Sequence, residues 1–226
     1  MHSTTTTDLL AWHTAFDDAR SPLGHRLAVV QSQLRQALCA RRPGPIRLLS
    51  IHAGRGHDVI GVLADHPRAA EIHAVLLEPD GRHCAEMRTV VEHEGLDNVE
   101  IVEGNAWGPA SRAGAEAADI LLAGGLFGSV PHRQLPPVIS GLPEACTIGA
   151  DVIWSRQRRA PDAAPLIQAC LANHGFAEVA CETTGLFTVG THRLAGGPPS
   201  LEDELATYLR DKRIRALRRR EERRAA

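Results

Sequence analysis

The stretch Ser50-Ile51-His52-Ala53-Gly54-Arg55-Gly56-His57-Asp58 joins a short apolar run, Ile46–Ile51, to a helical pattern over residues 57–64. Glycines at such a junction let the backbone turn sharply and approach a ligand closely. In an open α/β sheet, ligands bind beyond the carboxyl ends of the strands, which is where this loop stands. The stretch therefore predicts a strand, a ligand-binding turn and a helix.

Apolar runs and helical patterns alternate on both sides of this loop. Strands are predicted over residues 46–51, 72–77, 99–102, 118–123, 147–154, 176–182 and 187–194. Helices are predicted over residues 23–38, 57–64, 82–94, 135–142 and 162–174, with prolines 136 and 137 confining the fourth to their C-terminal side. Such alternation is typical of a parallel sheet covered by helices. We expect an α/β fold with a Rossmann-like, doubly wound, seven-stranded sheet whose last strand is antiparallel, because no helix separates the final two strands.

Three further segments follow later strands and carry candidate binding residues. Glu78-Pro79 ends the second strand 22 residues after Gly56, and a carboxylate there can accept two hydrogen bonds from a ribose diol. Asn105-Ala106-Trp107 follows the third strand, where the amide can bond an adenine amino group and its neighbours can cover the ring. The same Asn can instead only shape a turn. Gly124-Gly125 follows the fourth strand and allows close backbone approach to a ligand or substrate.

The order of these motifs resembles that of class I S-adenosylmethionine-dependent methyltransferases, over about residues 46–194. More narrowly, the chain resembles an actinobacterial-type group of that superfamily in stretches such as Leu48-Leu49-Ser50-Ile51-His52-Ala53-Gly54 and Gly125-Leu126-Phe127-Gly128. The resemblance implies S-adenosylmethionine as cofactor and the sheet order of that fold. It also implies that Gly54 and Gly56 flank the cofactor, Glu78 holds its ribose and Asn105 faces its adenine.

The chain departs from the superfamily pattern at three positions. Ser50 stands where an acidic residue is usual, His52 stands where the first glycine would be, and Asn105 replaces a common Asp. These changes weaken the expected contact to the methionine ammonium group, for which Asp58 can compensate from the next helix. The predicted cofactor-binding residues are Ser50, His52, Ala53, Gly54, Gly56, Asp58, Glu78, Pro79, Asn105, Ala106, Trp107, Gly124 and Gly125.

Methyl transfer requires little from the protein beyond alignment of a nucleophile with the S–CH₃ bond and, for some acceptors, a base. His13, on an N-terminal helix that can cover the pocket, and His132, after the loop of the fourth strand, are the candidate catalytic bases. Trp12, Phe16 and Phe127 are candidates for an apolar substrate cavity, and Arg156 can hold an anionic group of the substrate. Core packing of the aromatic residues and solvent exposure of the arginine stay open as alternatives.

Charge is distributed unevenly along the chain. Residues 210–224 contain nine basic and three acidic residues, whereas the rest contains 16 basic and 24 acidic ones. An acidic body disfavours a nucleic-acid partner and favours a small-molecule substrate; a homo-oligomer stays open. We expect an N-terminal helical lid over residues 1–45, a cofactor-binding methyltransferase domain over 46–194, and a linker with a basic C-terminal helix over 195–226.

Composition sets the expected compartment and excludes several function classes. No apolar run reaches the ~20 residues that span a bilayer, and the first residues lack a signal-peptide pattern. Five cysteines without CxxC spacing, and histidines without HxH or HExxH patterns, disfavour a metal site. We therefore expect a cytoplasmic protein with buried, reduced cysteines and no membrane partner.

Two other functions stay open at this stage. The departures at Ser50 and His52 permit a protein of the same fold that binds S-adenosylmethionine without transferring its methyl group, or that uses it in another reaction. An NAD-dependent oxidoreductase is the weaker alternative. It predicts the pattern GxGxxG, but the third glycine, Gly61, comes two residues late.

Overall fold

The computed structural model describes residues 21–104 and 116–196. Its strands are β1 (Ile46–Ile51), β2 (Ile72–Glu78), β3 (Val99–Glu103), β4 (Ala118–Ala123), β5 (Cys146–Gln157), β6 (Phe176–Thr183) and β7 (Phe187–Leu194). Its helices are α1 (Pro22–Cys39), α2 (His57–Leu63), α3 (Gly81–His93), α4 (Leu126–Ser129), α5 (Leu135–Ser140) and α6 (Ala164–Asn173).

All seven strands form one sheet in the order β3-β2-β1-β4-β5-β7-β6. Strands β1 to β5 pair in parallel, and β7 lies antiparallel between β5 and β6. The prediction of a doubly wound, seven-stranded sheet with an antiparallel last strand is confirmed. Because β1 and β4 are neighbours in space but not in sequence, the strand order reverses between them, and ligands bind at such a point in α/β folds.

Helices cover both faces of the sheet. Successive residues of a strand point to opposite faces, so a central strand contributes side chains to two hydrophobic cores. On β4, Leu121 and Ala123 join one hydrophobic core with α4, α5 and α6. Ile120 and Leu122 join a second core with α1, α2 and α3. All four side chains are fully buried, which explains why this strand is a continuous apolar run in the sequence.

Helix α1 begins as the sequence predicts. The Ser21 hydroxyl accepts a hydrogen bond from Gly24 N at 2.9 Å, and Pro22 occupies the first turn, where its missing N–H costs nothing. The buried face of the helix includes Val30 and Leu34, which pack into the second core. This packing brings the first turns of α1 to the carboxyl ends of the central strands.

Buried polar side chains link β5 to β7 and to the segment that follows α1. The fully buried Asp151 carboxylate on β5 accepts hydrogen bonds from Arg41 Nη2 at 2.8 Å and from Arg193 Nε at 2.8 Å. On the same two strands, β5 and β7, the buried Trp154 Nε1 donates to His192 Nδ1 at 3.2 Å. Burial lowers the pKa of His192, so this ring favours its neutral form.

Three details differ from the sequence-based expectations. Pro136 and Pro137 lie inside the first turn of α5 and not before it, because the first turn of a helix has no intrahelical N–H bonds for proline to break. Strand β5 extends beyond the predicted range at both ends. Cys39 and Cys181 are exposed, although all five cysteines are free.

Candidate functional site

A cavity of about 280 Å³ opens at the carboxyl ends of the central strands, where the strand order reverses. Ligand-binding clefts of proteins begin at about this size. The cavity brings together predicted residues from the loops after three different strands: His52, Ala53, Gly54, Asp58, Glu78, Gly124 and Gly125. The sheet topology thus makes one site of segments that are far apart in the sequence.

The loop between β1 and α2 forms one wall of this cavity by means of unusual backbone conformations. Gly56 has a φ of +71°, a left-handed conformation that glycine adopts without strain, and a Cβ there would also meet the side chain of Ile60, whose Cδ1 lies 2.7 Å from that position. His52 has a φ of +56°. It therefore adopts the left-handed conformation that favours glycine, at the position where the superfamily pattern has one.

Glu78 joins the first two loops of the site. Its carboxylate is 5% exposed and accepts hydrogen bonds from Gly54 N at 2.8 Å and from Asp80 N at 3.0 Å. His83 Nδ1 lies 3.5 Å from the same carboxylate. A carboxylate offers about four acceptor positions, so these two backbone bonds leave capacity for hydroxyl donors from a ligand. The sequence-based role of Glu78 as a diol acceptor is compatible with this geometry.

Asp58 places a second carboxylate in the cavity, at the first turn of α2. Burial raises the pKa of this carboxyl to about 6, although the Val59 amide, which donates to it at 3.0 Å, and the nearby Arg26 both favour its ionised form. Burial in turn lowers the pKa of Arg26, and Asp58 opposes that change. Two opposite charges are therefore held partly out of water on the wall of one cavity.

Gly125 brings the β4 loop directly against the β1 loop. A Cβ at this position would lie 2.9 Å from the carbonyl oxygen of His52, which is backbone and cannot move aside cheaply. Gly125 is thus required for the contact between these two loops, which both line the cavity.

Six predicted site residues within the described ranges do not line the cavity. Ser50 is 1% exposed, and its hydroxyl has no hydrogen-bond partner within the described part of the chain. Phe127 is fully buried in the core, with its ring centre 6.2 Å from that of Trp154, so it offers no surface to a substrate here. The others are the buried Gly56, the exposed Pro79, the partly buried His132, and Arg156, whose Nη1 donates to Val130 O at 3.5 Å.

The remaining predicted residues lie outside the described ranges. They are the candidate base His13, the substrate candidates Trp12 and Phe16, and the adenine-site candidates Asn105, Ala106 and Trp107. Residues 1–20 of the predicted lid and residues 197–226, which contain the predicted basic helix, also lie outside them.

Several lining residues were not predicted from the sequence. Arg26, Leu27 and Val30 come from α1, His83 from α3 and Ser155 from β5. One signal for Arg26 was present: it lies three residues after Leu23 and four before Val30, which puts a charge within the apolar stripe of an amphipathic helix. Ser155, a single polar residue ending a buried apolar run, was a similar signal.

Within residues 21–104 and 116–196, no three or more His, Cys, Asp or Glu side chains are grouped so that they could hold a metal ion. None of the helices in these ranges has the length and apolar character needed to cross a membrane.

Comparison of the fold with solved structures identifies methyltransferases. An O-methyltransferase family protein from Burkholderia thailandensis has a TM-score of 0.67 at 16% identity, covering 86% of this chain and 62% of its own. The CurJ carbon methyltransferase has a TM-score of 0.66 at 14% identity, covering 83% of this chain and 58% of its own. The 1,6-didemethyltoxoflavin-N1-methyltransferase of B. thailandensis, solved with 1,6-didemethyltoxoflavin and S-adenosylhomocysteine, has a TM-score of 0.60 at 14% identity, covering 83% and 87%.

The chain thus spans about three fifths of the length of the first two of these structures. No model of a protein family matches the sequence, and no curated protein is significantly similar to it. At identities of 14 to 16%, the likeness concerns the three-dimensional structure. It shows that this chain has the Rossmann-like fold of the S-adenosylmethionine-dependent methyltransferases.

Proposed function

We propose that this chain is an S-adenosylmethionine-dependent methyltransferase that acts on a small molecule. The cofactor would lie in the cavity at the ends of β1, β2 and β4, with its ribose at Glu78 and its methionine end near Asp58. When bound, it supplies an activated methyl group, and the protein holds the acceptor in line with it and excludes water. That the chain belongs to an actinobacterial-type group of this superfamily stays a prediction.

The observation that carries this proposal is the position of the Glu78 carboxylate. It is buried at the end of β2, in the wall of the cavity, and is held by the amide of the glycine-containing loop after β1. A buried carboxylate is costly unless its hydrogen bonds are made. A ribose diol donates two such bonds, which suits a nucleoside ligand.

A small-molecule acceptor is supported by two observations. The chain outside residues 210–224 has an excess of acidic residues, which disfavours a polyanionic substrate. The 1,6-didemethyltoxoflavin-N1-methyltransferase, whose fold is similar, was solved with bound 1,6-didemethyltoxoflavin and S-adenosylhomocysteine. Whether oxygen, nitrogen or carbon receives the methyl group is left open. His13 and His132 stay candidate bases, and Arg156 stays a candidate for an anionic substrate group.

One rival has an observation in its favour. The hydroxyl of Ser50 is buried without a partner in the described part of the chain, at the position where the superfamily pattern has an acidic residue. A protein that binds S-adenosylmethionine but transfers no methyl group would tolerate this loss. An NAD-dependent oxidoreductase is disfavoured because the antiparallel β7 departs from the all-parallel sheet of dinucleotide-binding domains.

The proposal is tested by equilibrium dialysis with labelled S-adenosylmethionine, using Glu78→Gln. The amide keeps one acceptor oxygen but loses the charge, so we expect affinity to fall about 10- to 100-fold, the value of a charged hydrogen bond of about 1.5–3 kcal/mol. Glu116→Gln is the matched control, because that side chain is 75% exposed and pairs with Arg47 away from the cavity. Equal affinities of the two variants would refute the proposed ribose site.

Methyl transfer itself separates the enzyme from its non-transferring rival. We expect S-adenosylhomocysteine to accumulate, measured by mass, when the full chain is incubated with the cofactor and mixtures of small phenols, amines and heterocycles. Tight cofactor binding without turnover on any such mixture would favour the rival.

A further inference from the structure

An open groove of about 420 Å³ runs between α1 and the edge strand β6. Its upper end is at His25 and its lower end at Gln36. It is lined by one stripe of the helix and by three residues of the strand: His25, Ala28, Val29, Ser32, Gln33, Gln36, Ala180, Cys181 and Glu182. None of these residues lines the cavity proposed for the nucleoside ligand, so the groove has a separate role.

The groove exists because α1 covers β7 but stops short of β6. On β7, Val189 packs into the second core with α1, and Thr191 Oγ1 donates to Gln33 Oε1 of the helix at 2.6 Å. Their paired neighbours on β6, Glu182 and Ala180, lie on the same face of the sheet. Glu182 is nevertheless exposed and Ala180 is only partly buried. Within the described part of the chain, this side of the edge strand is open to solvent.

The described chain ends close to the lower end of the groove. Arg193, near the end of β7, and Arg41, just after α1, both donate to the Asp151 carboxylate. The ends of the helix and of the last strand are therefore neighbours. From Gly196 to Ser200 the chain reaches at most about 14 Å, so the segment that begins at Ser200 starts near this end.

The length of that segment fits the groove. Its apolar residues recur at the spacing of one helix face: Leu201, Leu205, Tyr208 and Leu209. At 1.5 Å per residue this apolar stripe is about 12 Å long, and the groove from His25 to Gln36 is about 16 Å long. Midway along it, the small side chains of Ala28 and Ser32 allow a second helix to approach to an axial distance of about 8–10 Å.

The charges match in the same direction. At the lower end, Arg41 and Arg193 face one carboxylate and leave a net positive charge, and the segment begins with three acidic residues, 202–204. At the upper end, Glu182 is exposed, and residues 210–213 contain three basic residues and one acidic residue. Opposite charges that meet at both ends favour one orientation of the segment.

We propose that residues 200–213 dock as a helix in the groove of their own chain, with Leu201 at the lower end and Leu209 toward the upper end. The docked helix covers the open side of β6 beside α1. It also brings the basic run, residues 210–224, to the edge of the sheet at which the ligand cavity opens. The inference goes beyond the proposed function and does not depend on it.

A second copy of the chain, paired along the edge of β6, is a less favourable occupant. The register of β6 shifts between Glu178 and Ala180, and such a bulge interrupts the row of backbone groups that an added strand requires. Edge-to-edge pairing would also bring the exposed Glu178 and Glu182 of two copies close together.

The experiment measures how fast a maleimide reagent reacts with a single exposed thiol on the full chain. Cys39→Ser and Cys181→Ser first remove the two exposed thiols, and the other three cysteines are buried. Ser32→Cys then places a probe midway along the groove. Thr89→Cys is the matched control, because this residue is exposed on α3, a helix on the same face of the sheet.

We expect the thiol of Ser32→Cys to react at least about tenfold more slowly than that of Thr89→Cys, because the docked segment covers it. Adding Leu205→Asp places a charge on the apolar face of the segment and should bring the two rates within about twofold of each other. Adding Thr207→Asp, which changes the opposite side of the same predicted helix, should leave the protection unchanged. Ala28→Cys provides a second probe if thermal unfolding shows that Ser32→Cys disturbs the fold.

Three results would overturn the proposal. One is an equal rate for Ser32→Cys and Thr89→Cys when the segment is unaltered. Another is a slow reaction of Ser32→Cys that Leu205→Asp does not accelerate, since something other than this segment then covers the groove. The third is protection that disappears on dilution of the protein, which would assign the groove to a second copy of the chain.

Discussion

Replacing Asp58 by Asn should make the unliganded protein more stable while weakening its ligand. The carboxyl lies in the cavity wall, and burial raises its pKa from an ordinary 3.8 to about 6. A raised folded-state pKa means that the folded protein binds the proton more tightly than the unfolded chain does. The associated stability is complete below about pH 4 and is lost as the pH rises through about 6.

The size of the effect follows from the same pKa. A rise from 3.8 to about 6 corresponds to at most about 3 kcal/mol, at about 1.4 kcal/mol per pH unit. Asp58 is only partly buried, and solvent screening therefore reduces the energy that corresponds to this pKa. We expect Asp58→Asn to raise the free energy of unfolding by roughly 1–3 kcal/mol at pH 8. The asparagine oxygen can still accept the hydrogen bond from Val59 N.

The assay is urea unfolding of both proteins at several pH values, with S-adenosylhomocysteine affinity measured in parallel at pH 8. The added stability of the variant should appear between about pH 4 and 6 and stay constant at higher pH. Its affinity for S-adenosylhomocysteine should be about tenfold lower than that of the original protein. Asp65→Asn is the control, since that carboxylate is 70% exposed and should change stability by less than about 0.5 kcal/mol. A variant less stable than the original protein at pH 8 would refute the reasoning, because ionised Asp58 would then be stabilised in the empty cavity.

Three further predictions concern backbone contact, titration and buried charge. Gly125→Ala should abolish ligand binding, because its Cβ would lie 2.9 Å from a carbonyl oxygen of the facing loop, whereas Gly128→Ala, with nothing within 4 Å, should bind normally in the same titration. Burial lowers the pKa of His192, so the stability that depends on the neutral ring should be present above about pH 6.5 and be lost as the pH falls. The variant His192→Asn keeps a hydrogen-bond acceptor for Trp154, and its free energy of unfolding should depend less on pH between about 5 and 7. Asp151→Asn should lower the free energy of unfolding by about 2–4 kcal/mol in urea, because it leaves two arginines beside a fully buried neutral group, and a loss under about 0.5 kcal/mol would contradict that.

The sheet could be predicted from the sequence because its central strands are buried on both faces. Strands such as β4 read as unbroken apolar runs, and the runs are separated by helical patterns of ordinary length. The absence of a helix between β6 and β7 predicted the antiparallel ending correctly. Pro136 and Pro137 misled the prediction of α5, since sequence alone does not say whether a proline precedes a helix or begins it.

The loop residues of the site were predictable for a related reason. In a parallel sheet the carboxyl ends of all strands lie at one edge, so His52, Gly54, Glu78 and Gly124 had to meet once the strands were identified. Arg26 could not be placed in the same way. The helical period puts it beside the apolar stripe of α1, but its entry into the cavity depends on how α1 docks against the ends of β4 and β5, which is a tertiary contact.

The central claim is tested most directly by calorimetric titration of the full chain with S-adenosylmethionine, S-adenosylhomocysteine and NAD in parallel. The account predicts micromolar or tighter binding of the first two, one ligand per chain, and no detectable binding of NAD. Absence of binding by both S-adenosyl compounds, or preferential binding of NAD, would contradict it and would mean that the cavity between Glu78 and Asp58 serves another ligand.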